Sequence, residues 1–380
     1  MPPDFEPRLR ALAGVVVRVG LNLQPGQPLL ITDPYDLFGV HPEALPLAAA
    51  IKAAAGTDTL ILPADPRQLR AFAEADDQRS YATHAADHAG RLRHHLKQGA
   101  AFLFLPGTSP QLFTGLPAER IARFEAVKWR LLGPIVQRLI RGASQWSLLP
   151  APTTDWAALA SRTVPELWET VFAAFRLGEK DPLLAWRVHL AGIGWQRDQL
   201  NAGGHRRIRY TGRGTELTLA LPRSHRWCTA QLSTHGGVSF VVNLPTEEIY
   251  TAPHLGSATG RLRVDRPVTH GGVVMEDIEL EFTGGRVVKA GARTGEEYLL
   301  KLLTTDRGAR RVGEVSLVPG REKLPWAADT FNHILLDENA ANHIALGDAY
   351  RFCSRAWLPL AINSSQLHLD LPLDAEVELS

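Results

Sequence analysis

The pattern of apolar residues changes once along the chain, and this change constrains the fold more than any other feature. In the first half, short apolar runs such as PLLITDP (28–34) and GAAFLFLPGTSP (99–110) alternate with segments of helical periodicity. Strands separated by helices need crossover connections, which predict a mostly parallel sheet covered by helices. From about residue 206, runs with period-two alternation and glycine turns follow one another, as in antiparallel sheets. The sequence therefore predicts an N-terminal α/β domain at 1–186 and a C-terminal α+β domain rich in antiparallel strands at 187–380.

Local signals place individual elements within this pattern. DTLILPADP (58–66) and WSLLPAP (146–152) are predicted strands, and HPEALPLAAAIKAAAGT (41–57) is a predicted helix that ends at Gly56. In the second half, TGEEYLLKLLTT (294–305) is a predicted helix, because Thr294 and Glu297 have the spacing of a capping box.

Composition excludes several classes of protein. The 380 residues are 45% hydrophobic and 21% charged, with a formal net charge of +1, so no strong field favours nucleic acid or an acidic membrane surface. Two cysteines exclude a disulfide framework and a cysteine-based zinc site, which favours a reducing, cytoplasmic location. Neither a secretory signal nor a run of roughly 18 apolar residues is found in the sequence. We therefore expect no nucleic-acid partner and no membrane insertion.

A parallel sheet often binds a nucleotide, and such an enzyme is one alternative. The expected glycine-rich loop after the first strand is missing, because YDLFGVHPEA follows LLITDP. We therefore expect the first half to act as a scaffold or to restrict access to a site elsewhere.

Polar residues interrupt two apolar strands of the second half. His368 and Asp370 in SSQLHLDLPL alternate with leucines and point to one face, as two ligands of one metal, or a histidine oriented by a carboxylate, would. Glu314 in GEVSLVP lies on the face opposite to Val315. Each pattern, taken alone, is more typical of a solvent-facing edge. The adjacent acids Glu247 and Glu248 in VVNLPTEEIYTAP repel each other when desolvated, unless a cation lies nearby or one of them is protonated.

The segment LLDENAANHIALGDAY (335–350) carries three acids and a histidine in an alanine-rich context. Glu338 and His343 are five residues apart, which separates them by roughly 140° on a regular helix. Because such a pair does not share a metal on an intact helix, we predict a loop that leads into IALGDAY.

Together these segments contain the usual ligands of a two-metal hydrolase, four carboxylates and two imidazoles. Oxygen ligands with some imidazole suit Zn²⁺, Co²⁺, Mn²⁺ or Mg²⁺, so we expect two divalent ions without a preference among them. The candidate residues in these segments are Glu248, Glu314, Glu338, His343, His368 and Asp370, and their scattered spacing alone does not establish a metal site.

Four segments in this order, NLPTEEIYTAP, GEVSLVP, DENAANHIALGDAY and NSSQLHLD, resemble the aminopeptidase T/aminopeptidase S family of metallo-aminopeptidases. The N-terminal RVGLNLQPGQPLLI is similar to the opening of that family, so the resemblance covers nearly the whole chain. The resemblance implies the six metal ligands named above, a Tyr350 close to the site, and a homodimer.

The predicted function is that of a dinuclear, metal-dependent aminopeptidase that acts on peptides in the cytoplasm. Glu247, beside a predicted ligand, is the predicted general base, and Tyr350 is predicted to donate a hydrogen bond to the oxyanion. The alternative is a catalytically impaired relative that binds peptides without turnover.

Overall fold

The structure is a computed structural model that describes residues 4–34, 37–107, 112–356 and 360–380. The chain forms two compact units, of which the first contains Met1–Leu190 and Ala230–Thr246. The second unit contains Ala191–Thr229 and Glu247–Ser380. The sequence placed a single boundary between residues 186 and 187, whereas in the structure residues 230–246 pack with the first unit.

The α-helices of the described residues are numbered in chain order. They are α1 Phe5–Val15, α2 Leu45–Ala55, α3 Pro66–Glu74, α4 Gln78–Lys97, α5 Ala118–Ile140, α6 Thr154–Leu159, α7 Val164–Ala174, α8 Pro182–Gly203, α9 Glu296–Leu302 and α10 Ile334–Ala340.

The strands are numbered in the same way. They are β1 Leu29–Thr32, β2 Thr59–Ile61, β3 Ala101–Phe104, β4 Trp146–Leu148, β5 Arg207–Gly212, β6 Thr215–Ala220, β7 Gln231–Ser233, β8 Ser239–Val241, β9 Ile249–Thr251, β10 Thr259–Val264, β11 Val268–His270, β12 Val273–Met275, β13 Ile278–Thr283, β14 Arg286–Gly291, β15 Val312–Leu317, β16 Asn342–Gly347, β17 His368–Leu373 and β18 Glu376–Leu379.

The first unit contains the predicted parallel sheet, with the strand order β2-β1-β3-β4. All three strand pairs of this sheet are parallel. Every residue of β1 and β3 is buried, because helices cover both faces of such a sheet. Helix α2 ends as predicted at Gly56, whose φ of 60° lies in the left-handed region that glycine tolerates. The fold predicted for the first half is confirmed.

A buried histidine joins helix α4 to strand β1 in this unit. The His88 ring is 4% exposed, and its Nε2 lies 3.5 Å from the hydroxyl oxygen of Thr32. Burial, together with the charge of His84, lowers the pKa of His88 from 6.5 to about 4. The folded protein therefore holds His88 neutral at a pH where the unfolded chain protonates it.

We expect His88 to make the first unit sensitive to acid. Because the folded pKa is depressed, its contribution is complete above pH 6.5 and is lost as the pH falls towards about 4. At about 1.4 kcal/mol per pKa unit, the free energy of unfolding should fall by about 3 kcal/mol over this range. Urea unfolding of His88→Gln and wild type at several pH values measures the difference. The same substitution at exposed His94 on α4 is the control, and an unchanged pH dependence in His88→Gln would contradict the assignment.

The second unit contains antiparallel sheets of two kinds. The six-stranded sheet, with the order β14-β13-β10-β6-β5-β18, has one buried and one exposed face. A four-stranded sheet with the order β17-β16-β15-β9 is buried on both faces, and β11 and β12 form a separate hairpin. The antiparallel-rich second half is therefore confirmed as well.

The predicted capping box at the start of α9 is wrong. The helix begins after Gly295, which has a φ of 74° and offers no side chain as a cap. The Thr294 hydroxyl instead donates a hydrogen bond of 2.7 Å to the Glu276 carboxylate. Thr294 therefore bonds to Glu276, which is distant in the sequence, instead of capping α9.

Within the described ranges, no helix combines the length and the apolar character needed to cross a bilayer.

Candidate metal centre

The four-stranded antiparallel sheet of the second unit projects polar side chains from one face. Asp370 on β17 lies opposite Ala345 on β16, which in turn lies opposite Glu314 on β15. Residues directly opposite one another in antiparallel strands point to the same face. The methyl group of Ala345, between the two carboxylates, leaves space between them.

A bulge next to Glu314 sets the register of β15 on β16. The pairing shifts between Val312 and Glu314, at Gly313. A Cβ atom at Gly313 would lie 2.3 Å from the carbonyl oxygen of Asp348, so only glycine fits. Bulges of this kind redirect the next side chain, and here that side chain is Glu314.

Five of the six predicted ligands converge in two overlapping groups. Glu248, Glu314 and His343 form one group, and Glu314, His368 and Asp370 form the other. Within each group, one possible ligand atom per residue lies within 4.8 Å of the others. Glu314 belongs to both groups.

Each imidazole is oriented by a backbone carbonyl. Nδ1 of His343 lies 3.1 Å from the Glu338 carbonyl oxygen, and Nδ1 of His368 lies 3.1 Å from that of Asp348. Because a carbonyl oxygen only accepts, Nδ1 of each ring is the protonated nitrogen and donates the bond. The lone pair of each neutral ring is therefore on Nε2, as in metal-binding histidines whose other nitrogen is held by the protein.

The Nε2 atoms face the carboxylates directly. His343 Nε2 lies 3.4 Å from an oxygen of Glu248 and 3.4 Å from one of Glu314. His368 Nε2 lies 3.3 Å from Asp370. The hydroxyl of Ser316 donates a hydrogen bond of 2.8 Å to the same Glu248 oxygen that faces His343.

Burial and neighbouring charges shift the pKa values of the groups in this site. Burial raises the pKa of Glu248 to about 7, against the opposing charge of His343. Burial would lower the pKa of His343, but its hydrogen bond to Glu314 and the charge of Glu248 outweigh burial and raise this pKa to about 9. In the same way, the charge of Asp370 outweighs burial and raises the pKa of His368 to about 10. Protons are retained because several carboxylates are buried together.

One oxygen of Glu314 tests whether a cation fits here. Oε2 of Glu314 is buried and has no hydrogen-bond partner among the described residues. A buried carboxylate oxygen without a partner is costly, and a bound cation removes this cost. The donor set of carboxylate oxygens and imidazole nitrogens suits a divalent ion. The residues therefore fit the metal that the sequence predicts.

Glu338 lies on a helix, which corrects the predicted loop. Helix α10 contains Glu338 and ends at Ala340, and β16 begins at Asn342. Glu338 and His343 do not share an intact helix, as the spacing argument required. Glu338 lies near the end of α10, whereas His343 lies on β16. Glu338 belongs to neither group of three ligands and lines a small cavity together with His368 and Asp370.

Asn339 connects Glu247 to this region. Its side-chain oxygen accepts a hydrogen bond of 2.6 Å from the backbone N–H of Glu247. Its amide nitrogen donates to the Leu335 carbonyl at 2.8 Å and to the Glu338 carboxylate at 3.3 Å. Glu247, which is 5% exposed, is therefore held beside the element that carries Glu338.

Tyr350 lies against His368, one of the predicted ligands. Its ring centroid is 5.4 Å from that of His368. The ring also stacks on Phe352 at 5.2 Å, with only 8° between the planes. This contact fixes the plane of the Tyr350 ring beside the site.

Sequence reasoning missed two side chains that organise α10. The Asp337 carboxylate accepts hydrogen bonds of 2.8 Å from the backbone N–H groups of Phe331 and His333. Burial raises the pKa of Asp337 to about 7. Asn339 is the second of these side chains. The sequence signal for both was the run DEN (337–339) in an otherwise apolar segment. This run indicated buried polar groups, but it did not indicate which hydrogen bonds each group makes.

A family model for the thermophilic metalloproteases (M29) matches residues 5–378 of the chain. The chain belongs to this family. As an M29 metalloprotease it is a peptidase hydrolase, and the family implies the use of a divalent metal ion, for which the buried site offers ligands.

Relatives of this M29 metalloprotease include aminopeptidase T of Thermus thermophilus, 33% identical over 384 residues that cover 98% of this chain and 93% of the relative. Aminopeptidase AmpS of Bacillus subtilis is 30% identical over 355 residues, covering 92% of this chain and 86% of the relative. The solved structure of wild-type AmpT from Thermus thermophilus superposes with a TM-score of 0.87 at 30% identity, and covers 99% of this chain and 95% of that one. The family resemblance and the fold class predicted from the sequence are thereby confirmed.

Proposed function

We propose that this chain is a dinuclear metal-dependent aminopeptidase that releases N-terminal amino acids from peptides. The observation that carries the proposal is the position of Glu314. Its carboxylate belongs to both ligand groups, and one of its oxygens has no protein partner within the described part of the chain. A carboxylate shared in this way would help to hold both catalytic ions. Relatives named as aminopeptidases support cleavage at the N-terminal end of the peptide.

The ligands divide between two ions. Glu248 and His343 would hold one ion, His368 and Asp370 the other, and Glu314 would contribute to both. Glu338, which faces the same cavity as His368, would complete the second set. When bound, such ions, whether Zn²⁺, Co²⁺, Mn²⁺ or Mg²⁺, polarise a peptide carbonyl and lower the pKa of water.

Glu247 is the proposed general base. It directly precedes the ligand Glu248, and its backbone is fixed by Asn339, which also binds Glu338. A carboxylate near the site but outside the ligand groups can take a proton from the attacking water. It can return this proton to the amine of the leaving peptide.

Tyr350 is the proposed donor to the substrate oxyanion. Its ring lies beside His368 and is held by stacking on Phe352. A phenol hydroxyl fixed in this way donates a hydrogen bond to negative charge that develops on the carbonyl oxygen.

The assembly is proposed from the family resemblance, and the location from the cysteine content. We propose a homodimer, which sedimentation of the purified protein tests. We also propose a cytoplasmic location, which the two free, buried cysteines support because a reducing compartment keeps thiols unpaired.

Metal removal tests the proposed function. Protein purified without chelator should release p-nitroaniline from aminoacyl p-nitroanilides, and should leave their N-acetylated forms intact. Dialysis against EDTA should lower kcat/KM at least about 100-fold, since a catalytic metal supplies several kcal/mol. Added Zn²⁺ or Co²⁺ should restore the rate, and metal analysis should find two ions per chain.

Two outcomes would contradict the proposal. Cleavage of the acetylated substrates at a similar rate would exclude an aminopeptidase. Peptide binding without turnover at any metal would favour the catalytically impaired alternative, for which the described site gives no support because all six predicted ligands are present and buried or partly buried.

A further inference from the structure

The two cysteines of the chain lie together in the core of the second unit. Cys228 is 4% exposed and Cys353 is 1% exposed, and both belong to one buried cluster. Both thiols are free, and a side-chain hydrogen bond joins them. The Sγ atom of Cys228 also lies 3.8 Å from the carbonyl oxygen of Phe352, the residue before Cys353. Neither thiol has a part in the proposed mechanism.

Backbone pairing holds the two cysteines next to each other. The N–H of Arg226 donates a hydrogen bond of 2.8 Å to the carbonyl oxygen of Cys353. His225 and Ser354 form an antiparallel bridge beside this bond. The segments that carry the cysteines therefore run side by side, and the contact between the thiols does not depend on side-chain rotamers alone.

We propose that Cys228 and Cys353 form a reversible disulfide when a hydroperoxide oxidises them, and that this disulfide lowers the activity of the site. The inference rests on the proposed aminopeptidase function and adds a means of regulating it. Disulfides of cytoplasmic proteins are usually transient and respond to oxidants in this way.

Cys228 is the thiol that reacts first. The hydrogen bond from Cys353 lowers the pKa of Cys228 below its usual value, although burial opposes this, and the charge of Arg226 adds to the effect. Burial raises the pKa of Cys353. Because the thiolate is the nucleophile, Cys228 attacks the oxidant and Cys353 then closes the disulfide.

A small oxidant has little protein to cross on its way to the pair. Tyr350 and Phe352 pack against the cluster and are themselves only partly buried. Hydrogen peroxide is hardly larger than water, so it suits this position better than a bulky disulfide reagent does.

The reaction consumes one hydroperoxide. The Cys228 thiolate attacks a peroxide oxygen, the O–O bond breaks, and the released hydroxide or alkoxide takes up the proton that Cys228 gave up. Cys228 is then a sulfenic acid. The Cys353 thiol attacks its sulfur, so that the S–S bond forms, the S–O bond breaks, and hydroxide leaves with the Cys353 proton as water. Two electrons pass from the thiols to the peroxide, and an added thiol reverses the change by exchange.

A bond between the two sulfurs would move residues of the site. An S–S bond is about 2.0 Å long, far shorter than a hydrogen-bonded contact between thiols, so the two segments must approach each other. The N–H of Cys353 donates a hydrogen bond of 2.9 Å to the Tyr350 carbonyl. Cys228 exchanges two backbone hydrogen bonds with Tyr250, which follows the ligand Glu248 by two residues. A displacement of about 1 Å at such groups lowers a rate by up to about 10²-fold.

Hydrogen peroxide tests the inference on protein loaded with Zn²⁺, an ion without redox chemistry. Treated protein should lose the mass of two hydrogen atoms, and its digest should contain a peptide in which Cys228 is joined to Cys353. The kcat for an aminoacyl p-nitroanilide should fall at least about tenfold. Dithiothreitol should restore both the mass and the rate, which distinguishes the disulfide from methionine oxidation, since dithiothreitol does not reverse the latter.

Alanine at each cysteine separates the two steps. Cys228→Ala should keep the basal rate and should show no loss of rate that dithiothreitol reverses. Cys353→Ala should also keep the basal rate, but it lacks the thiol that closes the disulfide. Dimedone should therefore label the sulfenic acid at Cys228 in this variant. The wild-type measurement needs no substitution, so the test holds even if one variant is unstable.

Each failure has its own signature. If the wild type forms no disulfide with excess peroxide, the assignment of the pair is overturned, whatever the activity of the enzyme. If the disulfide forms and the rate is unchanged, its effect on the site is overturned. If the protein hydrolyses no aminoacyl substrate, the proposed function fails, and the mass measurement still decides whether the two thiols form a disulfide.

Discussion

Glu314→Gln should release bound metal and lower kcat/KM by at least about 10³-fold, since loss of a catalytic ion removes several kcal/mol of transition-state stabilisation. The substitution keeps the shape of the side chain but removes its charge. An amide is a poorer ligand for a divalent ion and does not offset the ion's charge. Because Glu314 alone belongs to both ligand groups, both ions should bind more weakly.

Metal content and turnover must be measured on the same preparations. Glu279→Gln, the same change at an exposed position of β13, is the matched control and should keep both. Circular dichroism of the EDTA-treated variants shows whether each is folded. If Glu314→Gln retains two ions per chain and wild-type activity, Glu314 does not hold both ions.

The sequence predicted elements well wherever local pattern and environment agree. β6, for example, alternates buried and exposed residues because one face of its sheet meets water. β1 and β3 are continuously apolar because helices cover both faces of the parallel sheet. In both cases, the side-chain pattern follows directly from what each face contacts.

The same rule failed at β15, for a physical reason. Alternation in GEVSLVP indicated a solvent-facing Glu314, but Glu314 is 4% exposed and Ser316 is fully buried. A polar face that lines a buried site has the same sequence pattern as a polar face in water. Alternation therefore identifies the polar face, and only tertiary packing decides what covers it.

The convergence of the ligands was also beyond local reasoning. Glu248 and Asp370 are separated by 122 positions, and the strand order β17-β16-β15-β9 brings them together. Strand order and register depend on long-range pairing, which spacing does not specify. The family resemblance indicated that these residues converge. The residues by themselves showed only that carboxylates and imidazoles suitable for a metal site were present.

Helix α10 shows how a sound spacing argument led to a wrong local structure. The angle between positions 338 and 343 excludes an intact helix that spans both, and the helix does end between them. The Asp337 carboxylate, however, stabilises the start of the helix by accepting backbone N–H groups. Helix ends of this kind depend on a side chain whose task was not evident from the sequence.

Glu247→Gln should keep both metal ions and yet lower kcat roughly 10²–10⁴-fold, because it removes a proton acceptor and no ligand. Glu248→Gln, the adjacent and chemically identical change, is the matched comparison. It should lose metal, because Glu248 belongs to a ligand group and lies 3.4 Å from His343. The neighbouring pair thus separates a base from a ligand within two residues of one segment.

The pH profile distinguishes a base from a residue that only supports the structure. A general base must be ionised, so the acidic limb of the wild-type kcat profile should disappear in Glu247→Gln, with the residual rate independent of pH over that range. A purely structural role would lower kcat at every pH and leave the limb in place. If Glu247→Gln retains full activity, the proton must pass to another group. Tyr350, whose ring lies 5.4 Å from that of His368, then becomes the residue to substitute next.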